Sequence, residues 1–362
     1  MRDQSQDTGA AHPHSNQIVY FDQGHTLSRN INAPKTTPDA TFSTPLEQVI
    51  SRARIKHVGW DFDGTIAYTE RLHRVICILA IAELADSEGQ IRKSHWNGSG
   101  FRAAFGLPPD ETSLVIASHL NQEYPHIFSR FNLDNSAEKT VEDVARDISE
   151  KRREIFNFYI DHAVFVNSKG PGDPVELRIR KTDDEQNPAL HKRINALSEV
   201  VVRSCPFAKE SIELLCKLGV AQGVCTSSPS HVVRPLLEKL DLMRYFKATV
   251  FSDCVPEGQH KPQPHPWKLL RHRLSDGQES PDAPTDDMIV FENSAGGAFS
   301  GMRAGAVTIV VAENLPNVIG KLDRKTKGEA GDTSNYTGRA HFIGSLGKLV
   351  EKTEKADLAP AH

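Results

Sequence analysis

Short apolar runs that alternate with segments of helical spacing most constrain the fold of this chain. The runs cover residues 55–60, 220–225, 248–251, 288–291 and 306–311. Between them, apolar residues recur at three and four positions, as in Val232, Val233, Leu236, Leu237 and Leu240. Strands alternating with helices predict a parallel sheet with helices on both faces. A last unit at residues 341–350 predicts an edge strand and a closing helix, and residues 324–339 before it predict a loop.

The stretch from about residue 67 to residue 203 lacks this alternation and has mainly helical spacing, as in Leu72, Val75, Ile76 and Leu79. Residues 164–181 break the helical pattern, because a Gly-Pro-Gly turn is followed by alternating Val175, Leu177 and Ile179. This pattern predicts a small hairpin. We therefore expect a mainly helical domain inserted after the first strand.

Composition limits the function classes. The 362 residues carry 43 basic and 47 acidic side chains, a net charge of −4, which argues against a protein that coats nucleic acid. No apolar run approaches the roughly 18 residues that span a bilayer. Residues 1–50 are polar and predict a flexible tail, and without a secretory signal we expect a cytoplasmic protein.

Polar side chains follow the predicted strands, where a parallel sheet binds its ligands. These residues are Asp61, Asp63, Thr226, Ser227, Lys261, Glu292 and Asn293. Carboxylates, a hydroxyl and a lysine that meet at one edge are the groups needed for metal-assisted phosphoryl transfer.

The same residues resemble the haloacid dehalogenase (HAD) superfamily. Its signature is D-x-D-G-T, a Ser or Thr after the second strand, a Lys and an acidic pair, here residues 61–65, Thr226, Lys261 and Glu292-Asn293. Residues 68–73 (YTERLH) are similar to the branch of beta-phosphoglucomutase-like phosphatases with a helical cap.

This resemblance implies a Rossmann-like α/β core with an inserted, enlarged and mainly helical cap domain. It places the core at residues 51–66 and 206–352 and the cap at residues 67–205. Residues 161–204 exceed the usual cap and remain unassigned. Residues 353–362 are expected to form a C-terminal tail.

Catalytic roles are implied by the resemblance and agree with the chemistry of the side chains. Asp61 would attack phosphorus to form an aspartyl-phosphate. Asp63 would protonate the leaving oxygen and then activate water. Thr226 and Lys261 would hold the phosphoryl oxygens, where negative charge accumulates.

Mg²⁺ is the cofactor that the resemblance implies, held by Asp61, Asp63, Glu292 and Asn293. Asn293 departs from the family pattern, since the second acidic residue is usually Asp. An amide oxygen still ligates Mg²⁺, but with less charge we expect weaker binding.

Phosphate or substrate contacts are implied for Gly64, Thr65, Ser227, His73 and Arg102. The basic residues between positions 151 and 203 include Lys151, Arg152 and Arg153. Because this stretch holds 10 basic and 8 acidic residues, it predicts a solvated surface of mixed charge.

The sequence thus predicts a Mg²⁺-dependent HAD-like phosphatase that acts on a small phosphorylated metabolite, such as a sugar phosphate. Neither nucleic acid nor a membrane is an expected partner, and the oligomeric state stays open. A phosphomutase would share the same core. Dehalogenation is disfavoured by Asp63 and Glu292. A phosphate-binding regulatory protein, weakened through Asn293, is the alternative from another class.

Overall fold

The computed structural model of the protein describes residues 19–20, 46, 50, 55–85, 109–132, 139–166, 175–180, 188–278, 280–312, 315–330 and 340–350. Arg102, the predicted C-terminal tail and most of the predicted N-terminal tail lie outside these residues. In this part of the chain, no helix combines the length and the apolar character needed to cross a bilayer.

The described strands form two sheets, one parallel and one antiparallel. The strands are β1 (Val19–Tyr20), β2 (His57–Trp60), β3 (Ala67–Tyr68), β4 (Ala163–Val166), β5 (Glu176–Ile179), β6 (Val201–Ser204), β7 (Ala221–Cys225), β8 (Ala248–Val250), β9 (Met288–Glu292), β10 (Val307–Val311) and β11 (Ala340–Ile343). The parallel sheet has the order β1-β11-β10-β9-β2-β7-β8, and the antiparallel sheet has the order β3-β6-β5-β4.

The α-helices come in two groups along the chain. Between β3 and β6 lie α1 (Glu70–Leu84), α2 (Pro109–Glu123), α3 (Pro125–Phe128), α4 (Val141–His162) and α5 (Pro188–Ser198). After β6 come α6 (Ala208–Lys217), α7 (Ser230–Lys239), α8 (His265–Leu274), α9 (Ala295–Ala304), α10 (Leu315–Ala330) and α11 (Gly347–Val350). Short 3₁₀ turns occupy Ser129–Asn132, Met243–Tyr245 and Ser252–Cys254.

The centre of the parallel sheet is buried on both faces. Every residue of β2 and β9 is buried, which is why these strands appear in the sequence as continuous apolar runs. Trp60 pairs with Phe291 across the two strands, and their rings stack with centroids 4.2 Å apart. The predicted parallel α/β core with flanking helices is confirmed.

Two expectations near the far edge of the sheet are wrong. β11 is not an edge strand, because Val19 and Tyr20 pair with its outer side. Residues 324–330 are not a loop, because they continue α10, where buried Leu322 packs into an apolar cluster with Phe299 and Phe342. Leu46 is also fully buried in the main core, so two points of the predicted tail contact the sheet domain.

The region between β3 and β6 contains more than helices. β4 and β5 pair antiparallel, which confirms the predicted hairpin, and β6 and β3 extend it to four strands. α4 begins with a capping box in which Thr140 and Asp143 satisfy each other's backbone N–H groups. The domain boundaries predicted from the sequence stay a prediction.

Apolar packing divides α4 into two halves. Ile155 and Tyr159 in its second half belong to the same buried cluster as the parallel sheet, and the Tyr159 hydroxyl donates to the Leu177 carbonyl at 3.1 Å. Ile148 in its first half packs instead with Leu120 of α2 in a separate cluster. The antiparallel sheet thus ties the second half of α4 to the parallel sheet.

Candidate active site

Side chains that follow adjacent strands of the parallel sheet meet in one cavity of about 350 Å³. β2 lies between β7 and β9, so the carboxyl ends of the three strands are neighbours. We call the strand-end residues of this cavity the floor. The floor consists of Asp61, Asp63, Thr226, Ser227, Ser228, Lys261, Glu292 and Asn293.

Lys261 is the cation at the centre of the floor. Its Nζ donates to Asp61 Oδ1 at 2.8 Å, to Glu292 Oε1 at 2.6 Å and to the Cys225 carbonyl at 2.9 Å. It also lies 4.4 Å from the centroid of the Trp267 ring. Burial alone would lower the pKa of Lys261, but the two carboxylates raise it above its ordinary value. Lys261 therefore stays charged and joins the ends of β2 and β9.

Asp61 extends the first strand into the cavity. Its backbone N–H donates to the Phe291 carbonyl at 2.9 Å, which continues the ladder one residue beyond β2. Thr65 Oγ1 donates to Asp61 Oδ2 at 3.3 Å. Burial and the negative charge of Glu292 raise the pKa of Asp61 to about 8, while Lys261 opposes this rise. The floor thus holds two buried carboxylates against one ammonium group.

Asp63 is surrounded by hydrogen-bond donors. Ser228 Oγ donates to its Oδ2 at 2.7 Å, Thr226 Oγ1 donates to the same oxygen at 3.2 Å, and the Thr69 hydroxyl donates to Oδ1. His73 Nε2 lies 3.5 Å from Oδ1. Burial would raise the pKa of Asp63, but His73, Thr69 and Ser228 lower it to about 2. This arrangement favours the ionised carboxylate.

Thr69 connects helix α1 to this carboxylate. It occupies the N-cap position of α1, yet its side chain makes no capping hydrogen bond. The hydroxyl donates a hydrogen bond to Asp63 Oδ1 instead. The first turn of α1 is therefore tied directly to the floor.

Both carboxylate oxygens of Glu292 are engaged. Oε1 accepts from Lys261, and Oε2 accepts from the backbone N–H groups of Asn293 and Ser294 at 3.2 and 3.3 Å and from Ser294 Oγ at 3.1 Å. Helix α9 passes so closely that a Cβ on Gly297 would lie 1.8 Å from Oε1. Glu292 therefore positions Lys261 and the turn into α9.

Asn293 lies against the loop that follows Asp63. A Cβ on Gly64 would lie 2.0 Å from Asn293 Nδ2, and Gly64 has a φ of 83°, a conformation that favours glycine. The bare glycine thus allows the loops after β2 and β9 to touch.

Oxygen donors on the floor fit a hard divalent cation such as Mg²⁺. The candidates are the Asp61 carboxylate, the Asp63 main-chain carbonyl and the Asn293 side-chain amide, on two loops that touch. A cation there would also offset the excess of carboxylate over ammonium charge. Within the described segments, no three His, Cys, Asp or Glu side chains gather as a metal site, so binding would depend on the neutral oxygens of residues 63 and 293.

Comparison with known families decides the wider assignment. The family model described as "Hydrolase: haloacid dehalogenase-like hydrolase" matches residues 55–305. The chain belongs to this family. Its assignment as a HAD-like hydrolase, expected from the motifs, is confirmed.

Curated relatives of this HAD-like chain include two named phosphatases. The "Phosphorylated carbohydrates phosphatase" of Thermotoga maritima is 27% identical over 129 residues, which are 36% of this chain and 56% of that protein. The "Phosphoglycolate phosphatase" of Salmonella choleraesuis is 35% identical over 69 residues, which are 19% of this chain and 27% of that protein. The chain thus matches little more than half of the first relative and about a quarter of the second.

Two solved structures that are similar to this chain show the extent of the structural match. CbbY from Rhodobacter sphaeroides, in complex with phosphate, is 18% identical with a TM-score of 0.46, covering 82% of this chain and 96% of that one. The beta-phosphoglucomutase of Clostridium difficile is 13% identical with a TM-score of 0.46, covering 82% of this chain and 93% of that one.

The remaining predicted site residues of this HAD-like chain are placed as follows. Ser227 and His73 line the cavity, Thr65 contacts Asp61, and Gly64 contacts Asn293. Arg102 lies outside the described residues.

Several cavity residues were missed by the sequence analysis. Thr69 donates to Asp63, and Arg152 and Arg153 of α4 line the cavity. Arg153 is exposed, as predicted, but the predicted solvated surface is wrong for Arg152, which is half-buried. Helical periodicity could have indicated the inward position of Arg152, because this residue lies on the same face of α4 as the buried residues Ile148, Ile155 and Tyr159.

Proposed function

We propose that this chain is a Mg²⁺-dependent phosphatase that hydrolyses small phosphorylated metabolites, such as sugar phosphates, through an aspartyl-phosphate on Asp61. The observation that carries the proposal is the convergence of Asp61, Asp63, Thr226 and Lys261 from separate strand ends into one cavity. Membership of a hydrolase family and two relatives named as phosphatases support it.

In the first half-reaction, a carboxylate oxygen of Asp61 attacks phosphorus and the bond from phosphorus to the leaving oxygen breaks. Lys261 stays charged in its place beside Asp61, where it stabilises the negative charge on the phosphoryl oxygens. The Thr226 hydroxyl, which donates to Asp63 in this structure, would be a second donor to the phosphoryl oxygens. The leaving oxygen takes a proton from Asp63.

In the second half-reaction, Asp63 accepts a proton from water, and the oxygen of that water attacks the phosphorus of the aspartyl-phosphate. The bond from phosphorus to the Asp61 oxygen breaks, which releases inorganic phosphate and restores the Asp61 carboxylate. The donors around Asp63 favour its ionised form, which suits this role. For the first half-reaction Asp63 must gain a proton. The second half-reaction leaves Asp63 protonated, and burial is the influence on its pKa that favours this form.

Magnesium, when bound by Asp61, Asp63 and Asn293, would supply positive charge beside the phosphoryl oxygens. Glu292 would act on Lys261 and on the turn that carries Asn293, since both of its oxygens are engaged there.

Release of inorganic phosphate tests the proposal. The purified protein would be assayed with an aryl phosphate and a panel of phosphorylated metabolites, with Mg²⁺ and with a chelator, beside Asp61→Asn. We expect Mg²⁺-dependent release that the substitution abolishes. Background release from the folded protein across the panel, or equal release by Asp61→Asn, would contradict the proposal.

A phosphate-binding protein without turnover is the second candidate, and Asn293 favours it, because the family usually has a carboxylate at this position. Asn293→Asp separates the two functions. A large gain in hydrolysis would indicate a weakened site. Little gain over an already active protein would indicate that Asn293 belongs to a working variant. Product analysis with hexose phosphates separates hydrolysis from phosphomutase activity.

A further inference from the structure

The cavity has a second wall with the opposite charge. We call the cavity residues on α2 and α4 the cap wall: Thr112, Ser149, Arg152, Arg153 and Phe156. The α4 members are spaced at zero, three, four and seven residues, so they share one face of the helix. That face lines the cavity.

Arg152 is held in place by its neighbours. Its Nη1 donates to Ser113 Oγ on α2 at 2.9 Å, and the Ser113 residue is fully buried. The guanidinium is half-buried and lies on the otherwise apolar stripe of α4. A cation on an inward stripe is disfavoured unless it has a use or good partners, because its charge is partly removed from water.

Arg153 differs from Arg146 and Lys151, two other cations of α4. Arg146 pairs with Asp143, and Lys151 pairs with Glu154. Arg153 lines the cavity and forms no ion pair with another residue in the described part of the chain. Its guanidinium is therefore available to an anion that enters the cavity.

The charged groups of the cavity lie on different elements of the fold. On the floor, Lys261 is already bound to Asp61 and Glu292. The arginines lie on helix α4 and not at a strand end, so they could contact a part of the substrate other than its reacting phosphoryl group. Their planar guanidinium groups match the geometry of a carboxylate or a phosphate.

We propose that Arg152 and Arg153 bind a second anionic group of the substrate. This inference rests on the proposed function, and it deepens it by naming the substrate class: phosphomonoesters that also carry a carboxylate or a second phosphate. Neutral phosphomonoesters of the same size would enter the same cavity without this contact.

Matched pairs of probes test the inference. Phosphoglycolate is compared with 2-hydroxyethyl phosphate, and fructose 1,6-bisphosphate with fructose 6-phosphate, so that one pair adds a carboxylate and the other adds a phosphate. Affinities are measured by calorimetry on Asp61→Asn, and kcat/KM on the active protein. We expect tighter binding of the anionic member in at least one pair, and the pair concerned identifies the anion.

Substitutions of the arginines then assign the contact. Two variants are compared: Arg153→Gln alone, and Arg152→Gln combined with Arg153→Gln. Each should lower the affinity for the anionic member of a pair by about tenfold or more, and change the affinity for the neutral member less than twofold. Arg146→Gln removes the same charge from the same helix at a position away from the cavity. It should change the affinity for neither member of the pair.

Three outcomes would overturn the inference. They are equal affinity for both members of each pair, equal losses for both members on substitution, and a loss with Arg146→Gln as large as with Arg153→Gln. If the active protein turns over no probe, the proposed function fails. The affinity ratios on Asp61→Asn still decide whether the arginines bind a second anion.

Discussion

The floor and the cap wall of the cavity are built in different ways. Floor residues follow neighbouring strands of one sheet, so the hydrogen-bonded register of β9, β2 and β7 fixes their separation. Wall residues lie on α2 and α4, and the first half of α4 packs in a separate apolar cluster. The positions of the floor residues are therefore fixed by the main core, whereas the positions of the wall residues depend on how α2 and α4 pack.

This difference suggests separate roles for the two parts of the cavity, catalysis for the floor and substrate selection for the wall. The floor gathers carboxylates, hydroxyls and one buried ammonium group, the groups that phosphoryl transfer needs. Under the proposed function, the arginines, hydroxyls and aromatic ring of the wall would contact the group attached to the phosphoryl group. Changes in the floor should therefore alter turnover and folding together, and changes in the wall should alter selectivity.

Replacing Lys261 should give the largest effect. Lys261→Met leaves Asp61 and Glu292 as adjacent buried carboxylates without a counter-charge. We expect the free energy of unfolding to fall by about 3–5 kcal/mol. Phosphate release should fall by about 100- to 1,000-fold. Urea unfolding and the phosphate assay measure the two effects.

The exposed Lys217 on α6 offers a matched control. Lys217→Met should leave both quantities nearly unchanged. A Lys261→Met protein as stable as the unsubstituted chain would contradict the view that this ammonium group holds the floor together.

A pair of neighbouring glycines tests how tightly α9 packs against Glu292. A Cβ at Gly297 would lie 1.8 Å from Glu292 Oε1, whereas nothing lies within 4 Å of a Cβ at Gly296. Gly297→Ala should lower the free energy of unfolding by about 1–3 kcal/mol and displace the partner of Lys261. Gly296→Ala should be neutral or stabilise by up to about 1 kcal/mol, since alanine favours the helix.

Thermal unfolding of both alanine variants makes this comparison. Equal melting temperatures for the two would show that Glu292 does not occupy the space beside Gly297.

Asn293→Asp tests the floor by changing the charge of one of its residues. It adds a carboxylate near Asp61, so the metal-free protein should lose stability, and the Mg²⁺ concentration for half-saturation should fall about tenfold. Added Mg²⁺ should therefore raise the melting temperature of this variant more than that of the unsubstituted chain.

Asn157→Asp adds the same charge at an exposed position of α4 and is the control. An equal response of both variants to Mg²⁺ would mean that residue 293 does not contact the cation.

Ser113→Ala should give the smallest effect, because it acts on the wall. It removes the acceptor of the Arg152 hydrogen bond, for an expected loss of about 1 kcal/mol in the free energy of unfolding. Turnover of neutral phosphomonoesters should change little. Ser129→Ala, at an exposed serine, is the matched control for chemical unfolding. A loss of neutral turnover as large as that of Lys261→Met would end the distinction between floor and wall.

The floor could be predicted from the sequence because its residues follow recognisable strands. The buried β2 and β9 are continuous apolar runs, and a parallel sheet brings the residues after such runs to one edge. Asp61, Lys261 and Glu292 could therefore be placed together before any contact was known.

The wall could not be found in the same way. Arg152 and Arg153 lie in a stretch of mixed charge, and a charge count says nothing about the face on which a residue lies. The pairing of Val19 and Tyr20 with β11 was missed for a similar reason. Residues 18–21 (IVYF) form a short apolar run, but the polar residues on both sides of it favoured a tail. Only the tertiary fold supplies the partner strand of Val19 and Tyr20.

Trapping the intermediate tests the central claim, that Asp61 is the nucleophile of the floor, most directly. The protein would be mixed with a phosphomonoester that it hydrolyses and Mg²⁺, quenched with acid and reduced with borohydride, which converts an aspartyl-phosphate to homoserine. We predict homoserine at position 61 in the peptide mass spectrum and none in Asp61→Asn. Turnover with unmodified Asp61, or homoserine at another aspartate, would contradict it.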